Sequence, residues 1–186
     1  MQWRNSSNNY GLVSIAMHWL VAIAVVGLFA LGYWMVGLNY YSGWYRTAPD
    51  IHKSVGILLF GLMLVRVIWR FVSPAPSPLR SHGRRTRMAT KAGHGLLYGG
   101  LFVLMISGYL ISTADGRAIG VFGWFEVPAL ITSIPNQADA AGLVHEYLAW
   151  GVLIFSGLHA LAALKHHFID RDPTLKRMFG RADDHV

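Results

Sequence analysis

The chain contains no cysteine. Disulfides, thiolate nucleophiles, iron–sulfur clusters and cysteine zinc sites are therefore excluded. Charge is also scarce. Asp, Glu, Lys and Arg make up 13% of the 186 residues, against about 25% in soluble domains. Between Asn5 and Tyr45 there is no charged residue of these four types at all. Repeats, low-complexity tracts and any stretch resembling a separate soluble domain are missing too. What fills the chain is apolar: 54% of residues are hydrophobic. The length suits one compact unit, and the composition is that of a membrane protein. The net charge of +7 raises nucleic acid as a candidate partner. Its Lys and Arg residues instead flank hydrophobic stretches and form no aromatic-interleaved patch, so we read the charge as membrane topology, with no nucleic-acid partner.

Four apolar runs are long enough to span a bilayer core of about 30 Å. They cover residues 11–36, 51–72, 92–113 and 143–164. The first is too long for the h-region of a signal peptide, about 7–15 residues. Tyr33, Trp34, Tyr40, Tyr41, Trp44 and Tyr45 gather at its far end, where an interfacial aromatic belt belongs. Arg66 and Arg70 lie in the last turns of the second run, where long side chains can snorkel to the interface. Pro74, Pro76 and Pro78 then stop the helix. The loop at 114–142 holds Phe122, Trp124, Phe125, Pro128 and Pro135, and is expected to cap the bundle as a short amphipathic segment. The fold expected is an all-α integral membrane four-helix bundle, one domain over residues 1–186.

Lys and Arg in the connections set the orientation. Arg80, Arg84, Arg85, Arg87 and Lys91 lie between the second and third runs; Lys165, Arg171, Lys176, Arg177 and Arg181 follow the fourth. The other two loops carry one each, Arg46 and Arg117. Ten against two predicts cytoplasmic N and C termini.

The fourth run, LVHEYLAWGVLIFSGLHALAAL, carries two histidines. His145 and His159 are 14 residues apart, nearly four helical turns, so they share a face and stand about 21 Å apart along the axis. That predicts two planar cofactors stacked across the bilayer, each taking one ligand from this helix. His18 matches His159 in depth on the inner half, and His52 matches His145 on the outer half. His94, at the inner start of the third helix, competes for the inner pair. Ionisable residues inside spanning helices mark functional sites. Haem iron takes two axial imidazoles when its task is electron transfer. Gly56, Gly93, Gly95, Gly151 and Gly157 could leave room for a flat ring. Arg66 and Arg70 are candidate propionate partners at the inner site, and Lys53 at the outer. His82, His167 and His185 read as interfacial anchors. A bare metal is poorly served by two-histidine sites. No Asp or Glu lies at mid-depth in any run, so a haem-free metal or proton transporter is poorly supplied as well.

An ordered set of short motifs runs through the four helices. His18-Trp19 lies in the first. Ile51-His52 opens the second and Arg66-x-x-x-Arg70 closes it. Gly93-His94 opens the third. His145-Glu146 opens the fourth, which ends on Gly157-Leu158-His159-Ala160, followed by His166-His167. Over residues 11 to 179 this resembles the prokaryotic cytochrome b561 family, in particular its small stand-alone dihaem members of the bacterial inner membrane. The resemblance implies two non-covalent b haems with axial ligands at His18, His52, His145 and His159, and ubiquinone as a redox partner. Stand-alone members look like superoxide oxidases, which pass an electron from superoxide at the outer face to the quinone. On that pattern Lys53, Arg46 and Arg117 would attract the anion, and Lys165, His166 and Arg70 are candidate quinone contacts. Relatives in the family instead anchor a periplasmic redox partner such as a hydrogenase.

Overall fold

The structure is a computed structural model that describes residues 2–79 and 81–180. Arg80, Arg181 and His185 lie outside the described residues. Four long helices account for most of the chain: α1 (Leu12–Met35), α2 (Thr47–Val72), α3 (Arg84–Thr113) and α4 (Gln137–Phe168). All four are long and apolar enough to cross a membrane. A short fifth helix, α5 (Thr174–Arg177), follows the bundle. The closest pairs are α3 with α4 and α1 with α2. The expected all-α membrane bundle is what is observed.

Three helices begin earlier than hydropathy alone predicts. α2 starts at Thr47 because Pro49 falls in its first turn, where a missing N–H removes no helical bond. α3 starts at Arg84, after Gly83 in an extended conformation, because RRTRMATK consists largely of good helix formers although it is too polar for the membrane core. α4 starts at Gln137, fixed by its side-chain amide, which donates to the carbonyls of Leu110 and Ile131 at 3.0 Å each. Its 32 residues span about 48 Å, well beyond a bilayer core, so its ends project.

The loop after α3, expected as a short amphipathic segment, has defined secondary structure. It forms an antiparallel hairpin of β1 (Ile119–Val121) and β2 (Phe125–Val127). Phe122 and Gly123 both have positive φ (49° and 73°), as the tight, twist-matched hairpin turns require. Ser54 on α2 explains how Phe122 tolerates this. Its hydroxyl donates to the Gly120 carbonyl (3.3 Å) and accepts from the Phe122 N–H (3.2 Å). Alternating-polarity signals were too few for the hairpin to be legible, and its determinant lies on a distant helix.

The opposite end, which carries both termini, is pinned by polar contacts between distant segments. The Asn5 side chain donates to the Ser73 carbonyl (2.8 Å), the Trp69 indole to Ser14 (3.0 Å), and the Trp19 indole to the Met178 carbonyl (2.9 Å). Midway between the two ends lies an apolar cluster of Val21, Leu59, Met63, Leu101 and Val152, drawn from all four helices.

Candidate functional site

The histidines fall into two groups, one on each side of that apolar layer. Val152 is seven residues from His145 and seven from His159, so about 10 Å of helix lies on either side of it. At the hairpin end His52 faces His145, with ring centroids 6.2 Å apart and planes at 70°. At the terminal end His18 faces His159 at 6.3 Å and 62°. The structure thus brings together both pairs that helix depth predicts. His94 also reaches His159, at 5.4 Å, so the terminal end is a group of three.

These distances provide a test of fit for a haem. Two imidazoles on one metal, with nitrogen–metal bonds of about 2 Å in line, have ring centroids about 6 Å apart once the ring radii are added. Both predicted pairs meet that spacing without movement of the helices. The surroundings of His145 fit as well. Its Nδ1 lies 2.9 Å from the Leu104 carbonyl. A carbonyl can only accept, so Nδ1 carries the proton and Nε2 is left as the free donor atom, the tautomer that metal-bound histidines adopt. Ser107, which donates to the same carbonyl, stands 3.2 Å from the ring. His52 Nδ1 is likewise buried, against the backbone of Leu28.

His18 is held differently. Arg66 Nη2 lies 3.2 Å from its Nδ1. A guanidinium can only donate, so here Nδ1 is the acceptor. Binding a metal through Nε2 requires the proton on Nδ1, and so requires Arg66 to swing away from the ring. Its guanidinium also lies over Tyr98, 5.5 Å from the ring centre, which gives it a second resting place.

The glycines divide into two kinds. A Cβ at Gly56, Gly95, Gly151 or Gly157 would meet nothing within 4 Å, while at Gly93 it would touch the Phe155 ring at 3.9 Å. The first four therefore have open space beside them. Two glycines that sequence reasoning missed matter more directly to the histidines. A Cβ on Gly108 would sit 2.9 Å from His145 Cε1, and one on Gly32 would sit 3.1 Å from His52 Cε1. Each lies on a neighbouring helix at the depth of the histidine it serves. Matching glycine depths as well as histidine depths would have found them.

The remaining predicted cations are engaged elsewhere. Lys53 pairs with Asp50 at 2.8 Å. Lys165 pairs with Asp170 at 2.7 Å. Arg117 pairs with Asp115, and this hydrogen bond holds the Asp115 carboxyl below its usual range. His166 lies against Asp170 and Asp172, and His82 is no isolated anchor but an ion-pair partner of Asp172. His167 rests against Phe168. Arg70 is exposed, near the half-buried Tyr10, whose hydroxyl is pushed up by desolvation against the opposing charges of Arg70, Arg177 and Arg66.

A family model described as prokaryotic cytochrome b561 matches residues 9–181. The chain is 56% identical to cytochrome b561 homolog 2 of Escherichia coli K12, over 98% of this chain and 97% of that protein. It is 29% identical to a probable superoxide oxidase, CybB, of Yersinia pestis, over 91% and 94%. It is 27% identical to cytochrome b561 homolog 1 of Escherichia coli K12, over 94% and 98%. With four helices able to span a membrane and a match over nearly its whole length, the chain belongs to the prokaryotic cytochrome b561 family, multi-pass proteins of the bacterial inner membrane that bind b-type haem and transfer electrons within the bilayer.

Proposed function

We propose that the protein is a dihaem cytochrome that takes electrons from superoxide at the hairpin end and delivers them to membrane quinone at the terminal end. In this reading the termini are cytoplasmic and the hairpin faces the periplasm. The observation that carries it is the pair of near-equal histidine separations, 6.3 and 6.2 Å, at opposite ends of one bundle. His18 and His159 hold the inner haem and His52 and His145 the outer. When bound, the two haems supply one-electron redox chemistry at separate depths.

The chain's own residues supply the rest. The Leu104 carbonyl fixes the orientation and tautomer of His145. Arg66, now on His18 Nδ1, and Arg70, one turn further along the helix, would offer positive charge to an inner propionate. The apolar layer of Val21, Leu59, Met63, Leu101 and Val152 excludes water between the sites, so charge crosses as electrons and protons stay outside. Superoxide is suggested by the Yersinia relative, a probable superoxide oxidase. The balance is simple: two superoxide anions each lose one electron and leave as dioxygen, and two electrons with two protons from the cytoplasm convert quinone to quinol. Lys53 and Arg117 are paired with carboxylates, so attraction of the anion falls mainly to Arg46.

The test is a reduced-minus-oxidised visible spectrum with a haem-per-chain assay. Wild type is expected to show two low-spin b haems per chain, and His52→Ala and His159→Ala one each. His94→Ala is expected to keep both. Loss of a haem in His94→Ala with retention in a His18→Ala variant would reassign the inner ligand. Rapid quinone reduction on mixing with superoxide supports the donor. A normally loaded protein that does not respond to superoxide would leave a periplasmic redox protein as the donor.

A further inference from the structure

The terminal end holds a cluster that lies outside both histidine pairs. His82, in the α2–α3 connection, His166, in the last turn of α4, and Asp172, between α4 and α5, converge with ligand atoms all within 4.8 Å of one another. His82 Nε2 is 2.8 Å from Asp172 Oδ2, and His166 Nδ1 is 3.2 Å from the same oxygen. The two imidazole rings lie 4.8 Å apart, tilted by 36°. All three side chains are largely enclosed, 15%, 19% and 8% exposed.

We propose that these three residues form a divalent metal site of the zinc class, separate from the haem sites. Two features of the local geometry point to a cation rather than to a closed set of hydrogen bonds. First, His166 Nδ1 stands among carboxylate oxygens, including Asp170 Oδ2 at 2.8 Å, yet it is buried and makes no hydrogen bond of acceptable geometry. Second, the Asp172 carboxylate is oriented from behind. Its Oδ1 accepts the Thr174 backbone N–H at 2.8 Å, which leaves Oδ2 turned toward both imidazoles. Outer contacts of this kind orient metal-binding carboxylates. Two imidazole nitrogens and one carboxylate oxygen suit Zn²⁺, or Ni²⁺ and Cu²⁺, better than Mg²⁺ or Ca²⁺. Asp170 is the adjacent fourth donor, at present held by Lys165.

The site would join segments 84 and 90 residues apart in sequence. It would clip the proline-rich α2–α3 connection to the end of α4 and to α5. That tail in turn reaches α1 through the Trp19 indole and the Met178 carbonyl.

The experiment uses the haem-loaded protein in detergent, stripped of loosely bound metal with a chelator and titrated with Zn²⁺ by calorimetry. Zinc is counted per chain separately from iron. The expected result is one Zn²⁺ per chain, with affinity falling at least tenfold in His82→Gln and in Asp172→Asn, and unchanged in His167→Ala. The visible haem spectrum, unaltered in every variant, certifies the fold. Zinc-free wild type with an intact haem spectrum would overturn the proposal, leaving a hydrogen-bonded His–Asp–His group. Equal zinc binding by wild type and both site variants would overturn it too, by locating the metal elsewhere. Should His82→Gln load haem poorly, Asp172→Asn carries the comparison alone.

Discussion

At the scale of single residues, the histidine sites depend as much on what is absent beside them as on the imidazoles. Gly108 leaves the space that His145 occupies. In Gly108→Ala the new methyl would meet Cε1 at 2.9 Å and Nδ1 at 3.2 Å. The ring cannot yield freely, because its Nδ1–H is bound to the Leu104 carbonyl. Either that bond breaks or the helices part, at a cost of about 1–3 kcal/mol. On the two-haem reading proposed above, Gly108→Ala is therefore expected to lower outer-haem occupancy and leave the inner haem intact, read as haem per chain and as the loss of one component in a redox titration. Gly32→Ala, with its nearest approach at 3.1 Å, is expected to do the same more mildly.

At the scale of elements, the bundle is held in the middle and pinned at its ends. Met63 is 1% exposed and packs in the cluster that all four helices share. Met63→Ala removes most of a side chain from a layer with no spare atoms to fill the gap, a change that costs about 2–5 kcal/mol in well-packed cores. A lowered midpoint for thermal loss of the haem absorbance is expected, with the spectrum at low temperature unchanged.

The elements also show what the sequence makes legible. The four spans are plain in the hydropathy, because a bilayer demands about twenty apolar residues in a row and little else in the chain resembles that. The histidine pairs are legible because a helix converts residue number into depth. Helix starts were less so: α3 and α4 continue past the apolar run through polar helix formers, and hydropathy reports the membrane rather than the backbone. The hairpin and the His82–His166–Asp172 cluster were not legible. Each depends on contacts between segments far apart in sequence, Ser54 with the Phe122 turn in one case and the α2–α3 connection with the tail in the other.

At the scale of the whole molecule, the proposed orientation can be tested with the protein's own lack of thiols. Single cysteines introduced at Ser81 and Ser133, both exposed, lie in loops at opposite ends of the bundle. In intact spheroplasts a membrane-impermeant maleimide is expected to label Ser133→Cys, and to label Ser81→Cys only after permeabilisation. The reverse pattern would invert the topology.

The two ends also differ in what lies beside their imidazoles. At His145 a backbone carbonyl draws on the ring N–H, whereas near His18 stands a full positive charge. The first makes the imidazole a stronger electron donor and disfavours an added electron on the metal it holds; the second favours one. In the two-haem reading this asymmetry slopes the molecule, with the higher midpoint potential at the Arg66 end. An electron arriving from the periplasm would then run downhill to the quinone side with little tendency to return. Potentiometric titration of wild type and Arg66→Gln measures that slope: the higher of two midpoints is expected to fall in the variant while the lower stays. In energetic terms the protein would act as a rectifier, its direction set by one guanidinium and one carbonyl.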